Sequence, residues 1–180
     1  LEPEIYSITG LEAFLKIAQE QNISNYPIHI KLDTGMHRLG FEPHQISELC
    51  GLLKNSNFVQ VTSVFSHLAG SDNNRFDAFT QLQFERYDAM LLELEKVLSS
   101  KPIRHILNTS GIFNYPEKQM EMVRLGIGLY CIGNSDEEMN ALENVSTLKT
   151  IISQIRTVAP EESIGYSRKF KVIEEMKVAT

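Results

Sequence analysis

Lys31-Leu32-Asp33-Thr34-Gly35-Met36-His37-Arg38-Leu39-Gly40 directly follows the apolar, β-branched run Ile28-His29-Ile30 and carries two cations and two glycines out of it. A strand that ends in a polar segment rich in glycine and charge reads as a binding loop. Three further stretches have the same character, with polar groups at the end of an apolar run: Phe65-Ser66-His67, His105-Ile106-Leu107-Asn108-Thr109-Ser110, and Val123-Arg124-Leu125-Gly126-Ile127-Gly128-Leu129-Tyr130.

Around these stretches, strand-like segments near residues 2–8, 28–33, 59–68, 103–109 and 122–130 alternate with stripes of helical period. Leu11, Phe14, Leu15 and Ala18 form the first stripe, and Ile46, Leu49, Cys50 and Leu53 the second. Phe79, Leu82, Tyr87, Met90, Leu91, Leu94 and Leu98 form a longer third. A β-α-β-α-β order implies parallel strands joined by helical crossovers, with the polar strand ends lining one face, as in a β/α barrel. Five strands do not close an eight-stranded barrel. The fold expected is therefore α/β, a partial (β/α)8 TIM-type barrel over residues 1–133. After Gly133, Asn134-Ser135-Asp136-Glu137-Glu138 has the cap and charge pattern of a short helix start and opens a linker over 134–145. From Ser146 to Thr180 the chain turns β-branched, with a turn-like Gly165-Tyr166-Ser167, and reads as the beginning of an all-β domain.

Bulk composition excludes several roles. The 180 residues are 42% hydrophobic and carry a formal charge of -6, an ordinary acidic balance with no basic cluster dense enough to neutralise a nucleic-acid backbone. No apolar run approaches the roughly 20 residues of a membrane span. Cys50 and Cys131 have no metal-type spacing and read as two reduced cytosolic thiols.

The four polar stretches together closely resemble the alanine racemase family of fold-type III pyridoxal phosphate enzymes, over nearly the whole chain. The resemblance implies a pyridoxal phosphate-dependent isomerase that interconverts L- and D-alanine by two-base α-proton transfer. It further implies a cytoplasmic homodimer supplying D-alanine for peptidoglycan, and equates the strands here with about strands 4 to 8 of the family's barrel. By the same resemblance Arg124 meets the pyridine nitrogen, and the amides of Gly126 and Ile127 hold the cofactor phosphate. A cation opposite that nitrogen keeps it unprotonated and weakens the ring as an electron sink. His67 stacks on the cofactor ring and accepts a hydrogen bond from Arg124, and His105 orients Arg124. Thr109 supplies a phosphate-binding hydroxyl where the family usually has serine, with Ser110 its competitor, and strand alternation would point the two to opposite faces. Asn108 lies beside the substrate or cofactor edge, or else satisfies a turn. Lys31 and Arg38 both face the barrel mouth, where a carboxylated Lys31 would place a negative group between them; the plainer reading is a lysine that snorkels to water beside Asp33. His29, His37 and His44 carry no separable signal.

Both ends of the chain look cut, and no segment resembles the family's cofactor-anchoring lysine motif, expected upstream of Leu1. The catalytic tyrosine is expected after Thr180. Lys31 matches a different strand from the anchoring lysine, and Tyr166 sits in what reads as an earlier hairpin. No catalytic residue is thus expected within the chain, and the 180 residues alone are expected to be inactive. The alternatives are a non-catalytic pyridoxal phosphate-binding barrel module and a scaffold; the β-rich stretch after Ser146 argues against the first, and the presence of Arg38, His67, Thr109 and Arg124 against the second.

Overall fold

The computed structural model describes all of residues 1–180. Two compact units are resolved, Leu1–Val145 and Ser146–Thr180. In the first, β1 (Glu4–Ile5), α1 (Ile8–Glu20), β2 (Tyr26–Lys31), α2 (Ile46–Lys54), β3 (Val59–Phe65), α3 (Asp77–Glu95) and β4 (Ile103–His105) follow one another. The four strands form one parallel sheet in the order β1-β2-β3-β4, so each helix serves as a crossover between neighbours. Two short helices follow, α4 (Thr109–Asn114) and α5 (Asp136–Asn140).

Strand alternation divides the sheet into an apolar and a polar face. Ile28, Ile30, Val61 and Val64 join the core with Leu49 of α2 and Tyr87, Leu91 and Leu94 of α3. Burying each such aliphatic side chain contributes roughly 1.5–3 kcal/mol, and the Tyr87 hydroxyl, donating to Val64 O at 2.7 Å, fastens α3 onto β3. The opposite face presents Glu4, His29, Lys31, Ser63, Phe65 and His105. A one-residue irregularity sets its register: Ile28 pairs with Val61 but His29 pairs with Ser63, skipping Thr62.

The loop after β2 is tied at both ends. Phe41 N donates to Lys31 O (2.9 Å) and Asp33 N donates to Phe41 O (2.8 Å), closing residues 33–40 into a compact excursion. Within it, Asp33 Oδ1 accepts from the amides of Gly35 (2.9 Å) and His37 (3.1 Å). Gln83 of α3, fully buried, donates to Thr34 Oγ1 and to His67 O and accepts from Ala69 N, so one amide holds the ends of two successive strands.

Three expectations are corrected. The strand expected over 122–130 is absent: Ile127–Tyr130 is a 3-10 helix, and Arg124 N to Leu107 O, 3.0 Å, is the segment's bond to the chain leaving β4. The Glu121 carboxylate accepts from Arg104 N at 3.0 Å and pairs with the Arg104 guanidinium, taking a β4 donor that a fifth strand would have used. Residues 103–109 are a strand only to His105, after which Asn108 caps α4 by accepting from Gly111 N at 3.0 Å. In α3 the buried face runs through Thr80, Gln83 and Phe84, while Phe79 and Leu82 are exposed at 36% and 37%. Buried Gln83 grips the loops there, so hydrophobic period misplaces the face in the first turns, while Tyr87, Met90, Leu91 and Leu94 are buried as the stripe predicts.

In the second unit, β5 (Ile155–Val158) pairs antiparallel with β8 (Met176–Ala179), and β6 (Ser163–Ile164) with β7 (Phe170–Lys171). Gly165, with φ +77°, begins the turn between β6 and β7, and Tyr166 at that turn is exposed. Both cysteines are free thiols, and no helix is long and apolar enough to cross a membrane.

Candidate functional site

The carboxyl ends of the strands and the Arg124–Gly128 segment surround one cleft of about 370 Å³, lined by His67, Asn108, Thr109, Ser110, Gly126 and Ile127 among others. Arg124 reaches one of these lining residues, His67, from beside the cleft. Its Nη1 donates to His105 Nδ1 (2.5 Å) and His105 O, and its Nη2 to the carbonyls of Ser66 (2.5 Å) and Ile106 and, at 3.5 Å, toward His67 Nδ1. The guanidinium also lies 5.1 Å from the centre of the Phe65 ring, on which His105 stacks at 4.7 Å. These contacts use every Nη hydrogen and leave Nε–H as the one donor without a protein acceptor.

Thr109 stands at the start of α4. Its Oγ1 accepts from Gly126 N and Gly128 N, both at 3.2 Å, so two backbone amides converge on one oxygen as they would on an anion. A Cβ on Gly128 would lie 2.7 Å from Leu125 Cδ1 and 2.8 Å from Thr109 Cγ2, which explains glycine there; at Gly126 it would meet only Thr109 Oγ1, at 3.8 Å. Gly126 and Ile127, expected at the phosphate, both line the cleft, and the amides that converge on Thr109 are those of Gly126 and Gly128. Ser110 Oγ accepts from Asn134 Nδ2 at 2.6 Å and lies 3.4 Å from the buried Glu138 carboxylate. Thr109 and Ser110 do diverge, but because successive helical residues do so.

Asn108 Oδ1 accepts from Ser71 Oγ (2.7 Å) as well as from Gly111 N, the turn-satisfying role, while its residue still lines the cleft. Lys31 is 8% exposed and its Nζ donates to Glu4 Oε1 at 2.9 Å. Arg38 is exposed and shares no hydrogen bond with Lys31. The negative group beside Lys31 is therefore Glu4, one strand away and not singled out by sequence. Gln83, Ser63 and Ser66 also escaped notice, since buried polar residues within apolar stripes carry no local signal.

The charges that act on His67 are positive. The imidazole of His67 is pushed down to about 4, first by burial and then by Arg124, Arg38 and Lys31, and that of His105 to about 3 by burial and then by Arg124. Both rings are neutral near pH 7, and the cations around His67 favour an anionic ligand. A second cleft of about 480 Å³ is lined by Asp72, Asp77 and Glu138, with Asp72 common to both. The depressed values have a stability consequence. Unfolded histidines bind protons from about 6.5 downward, before these two do, so their contribution is complete above pH 6.5 and lost as pH falls toward 4 and then 3. A 15N NMR titration should show neither ring gaining a proton between pH 8 and pH 5; a midpoint above 6 for either would contradict the burial argument.

A parallel α/β sheet whose strand ends carry a guanidinium, a hydroxyl and converging backbone amides is the arrangement of an α/β barrel-type domain. Residues 1–134 match the family described as alanine racemase, N-terminal domain, and the chain belongs to that family. It is 35% identical to alanine racemase 1 of Clostridium acetobutylicum over 185 residues, covering 100% of this chain and 47% of that one. It is 33% identical to alanine racemase 1 of Oceanobacillus iheyensis over 180 residues, covering 98% and 47%. The crystal structure of the alanine racemase from D-cycloserine-producing Streptomyces lavendulae superposes with a TM-score of 0.82 at 27% identity, covering 98% of this chain and 47% of that one. The chain spans about half the length of the curated relatives it matches.

Proposed function

We propose that this chain forms the cofactor-holding part of a pyridoxal phosphate-dependent alanine racemase, an isomerase that interconverts L- and D-alanine. One observation carries the reading: the Gly126 and Gly128 amides converge on the Thr109 hydroxyl at the cleft that His67 also lines, and the Arg124 guanidinium stands beside His67. The donor set fits the group. Thr109 and the amides of Gly126 and Ile127 would hold the phosphate, Arg124 would face the ring nitrogen, and neutral His67 would lie against the ring. Pyridoxal phosphate, when bound, supplies the electron sink that makes the α-proton of alanine removable. This chain's residues orient the ring, restrain its electron demand through an unprotonated nitrogen, and supply neutral imidazoles that do not compete for the proton. A scaffold would need none of this placement.

In this reading β1 to β4 are the fourth to seventh strands of the barrel, with residues 122–130 in the place of the eighth. Residues 1–133 are the barrel part, 134–145 a linker and 146–180 the start of the β domain; the two compact units support the boundary at Ser146 and keep 134–145 with the first unit. The whole protein is a cytoplasmic homodimer that supplies D-alanine for the cell wall. Its activity is tested by following alanine inversion by chiral chromatography. The 180-residue chain should bind pyridoxal phosphate without inverting alanine, because neither the cofactor-anchoring lysine nor the base tyrosine of the family matches a position in it. Turnover by the chain alone, with borohydride labelling of Lys31, would overturn this assignment.

Thr109→Val, which keeps the shape and removes the hydroxyl, should weaken pyridoxal phosphate binding about tenfold, or ~1.4 kcal/mol, and Thr109→Ser should restore it. An unchanged Kd for Thr109→Val, measured by fluorescence titration, would assign the phosphate to other groups.

Lys31 remains the candidate carboxylysine, now with a competitor. Carbon dioxide adds to a neutral amine, forming an N–C bond and releasing a proton, whereas the Glu4 carboxylate at 2.9 Å favours the ammonium. Intact-mass measurement in bicarbonate should show a carboxylated fraction that rises in Glu4→Gln. Unmodified Lys31 in both proteins removes the carbamate from the proposal.

A further inference from the structure

We propose that Ser63 is a positioning residue that fixes the tautomers of His29 and His105 and, through them, aims Arg124 into the cleft, along a hydrogen-bonded chain that ends at Glu2. Four contacts make the chain: Arg124 Nη1 to His105 Nδ1 (2.5 Å), His105 Nε2 to Ser63 Oγ (3.1 Å), Ser63 Oγ to His29 Nδ1 (2.7 Å) and His29 Nε2 to Glu2 Oε2 (2.9 Å).

Only one direction of donation runs through all four. A guanidinium has donors and no acceptor, so His105 Nδ1 accepts. A neutral imidazole carries a single N–H, which in His105 must be on Nε2 and is donated to Ser63 Oγ. The serine has one proton of its own and gives it to its other partner, His29 Nδ1. His29 then carries its proton on Nε2 and donates it to the Glu2 carboxylate. A cation at the inner end and a carboxylate at the outer end thus leave each intermediate group a single role. Reversing any link opposes two donors or strands the Ser63 proton, at a side chain only 1% exposed.

The fold supplies this arrangement on purpose-built register. The irregularity between Ile28 and His29 brings Ser63 opposite His29, and the same residue pairs with Ile103 of β4, two positions before His105. With regular pairing Thr62 would stand opposite His29, and the serine would leave the line. Burial keeps His105 neutral as the chain requires. Phe65, stacked on His105 and beneath the guanidinium, prevents either from swinging away. With its Nη hydrogens held by the protein, Arg124 has only Nε–H left to offer a ligand, so an error in His105 would tilt that donor. The functional part of this inference rests on the reading of Arg124 as the cofactor-facing cation; the tautomers do not.

The test uses the 15N-labelled 180-residue chain without cofactor, with long-range 1H–15N correlation of the histidine rings near neutral pH. Both His29 and His105 should carry the proton on Nε2. Glu2→Gln, at an exposed position that does not threaten folding, should shift the His105 and Arg124 Nε resonances in the parent chain and leave them unmoved in the Ser63→Ala background. A side chain that merely fills space would not transmit a change from Glu2. His29 protonated on Nδ1, or Glu2→Gln without effect on His105, overturns the proposal whether or not the chain binds pyridoxal phosphate. Should Ser63→Ala fail to fold, the Glu2→Gln shifts and the parent tautomers still decide it. Conversely, the expected tautomers in a chain that does not bind pyridoxal phosphate would retain the relay and reject the cofactor reading.

Discussion

Arg124→Ala should cost the protein both its ligand and a substantial part of its stability. The guanidinium donates to the carbonyls of Ser66, His105 and Ile106 and to the His105 ring, and no carboxylate shares these contacts. Charge-assisted hydrogen bonds contribute roughly 1.5–3 kcal/mol each, in part because buried carbonyls left without a donor lose that much. Water can enter the widened cleft and recover some of it, so a net loss of about 3 kcal/mol is expected. Pyridoxal phosphate affinity should fall by roughly a hundredfold, the equivalent of losing one charged contact together with the orientation of His67 and His105. Arg124→Lys separates the two effects. An ammonium can meet one or two of the carbonyls but lacks the planar fork, so it should regain part of the stability and little of the binding. Urea denaturation and fluorescence titration measure them independently. Full affinity in Arg124→Ala would place the guanidinium away from the ligand.

Gly40→Ala should be the most damaging of the single methyl additions. Gly40 has φ +135°, a conformation that L-residues rarely adopt, and a Cβ there would lie 2.5 Å from Asp33 N and 2.6 Å from Leu32 C. Those atoms belong to the backbone that closes the 33–40 loop against Phe41, so nothing soft can yield. Strain and overpacking together should lower stability by about 3–5 kcal/mol, and opening the loop should remove Arg38 from the neighbourhood of His67. Gly51→Ala is the counterpart. It lies in α2 with nothing within 4 Å of the added atom, and alanine should stabilise that helix by up to ~1 kcal/mol. Equal urea midpoints for the two variants would show that the loop tolerates a rearranged backbone.

The corrections share a physical pattern. Helices α1 and α2 lie where their apolar stripes put them, because there a hydrophobic face meets a hydrophobic sheet. In α3 the stripe holds at Tyr87, Met90, Leu91 and Leu94 and fails only in the first turns, where Gln83 and Thr80 take the buried side in place of Phe79 and Leu82. A glutamine that satisfies Ala69 N, His67 O and Thr34 Oγ1 at once is inexpensive to bury, but only after the two strand ends have been brought to it. The expected strand at 122–130 failed for a related reason. Its composition is suitable, yet Glu121 satisfies Arg104 N with a side chain, and the glycines allow the backbone to turn into a 3-10 helix.

The amino-acid order was sufficient for the alternation of strands and helices and for the change to β structure after Ser146, because these rest on local period; His67, Thr109 and Arg124 were singled out through the family resemblance. The partners of those residues came from the tertiary structure alone. Glu4 beside Lys31, Ser63 between two histidines, and Gly128 converging with Gly126 on Thr109 are contacts across strands or across a fold in the chain, set by register and by a single skipped residue at Thr62. A shift of one position in a strand turns a side chain to the opposite face, so the sequence can propose which groups act while only the packed sheet decides which of them meet.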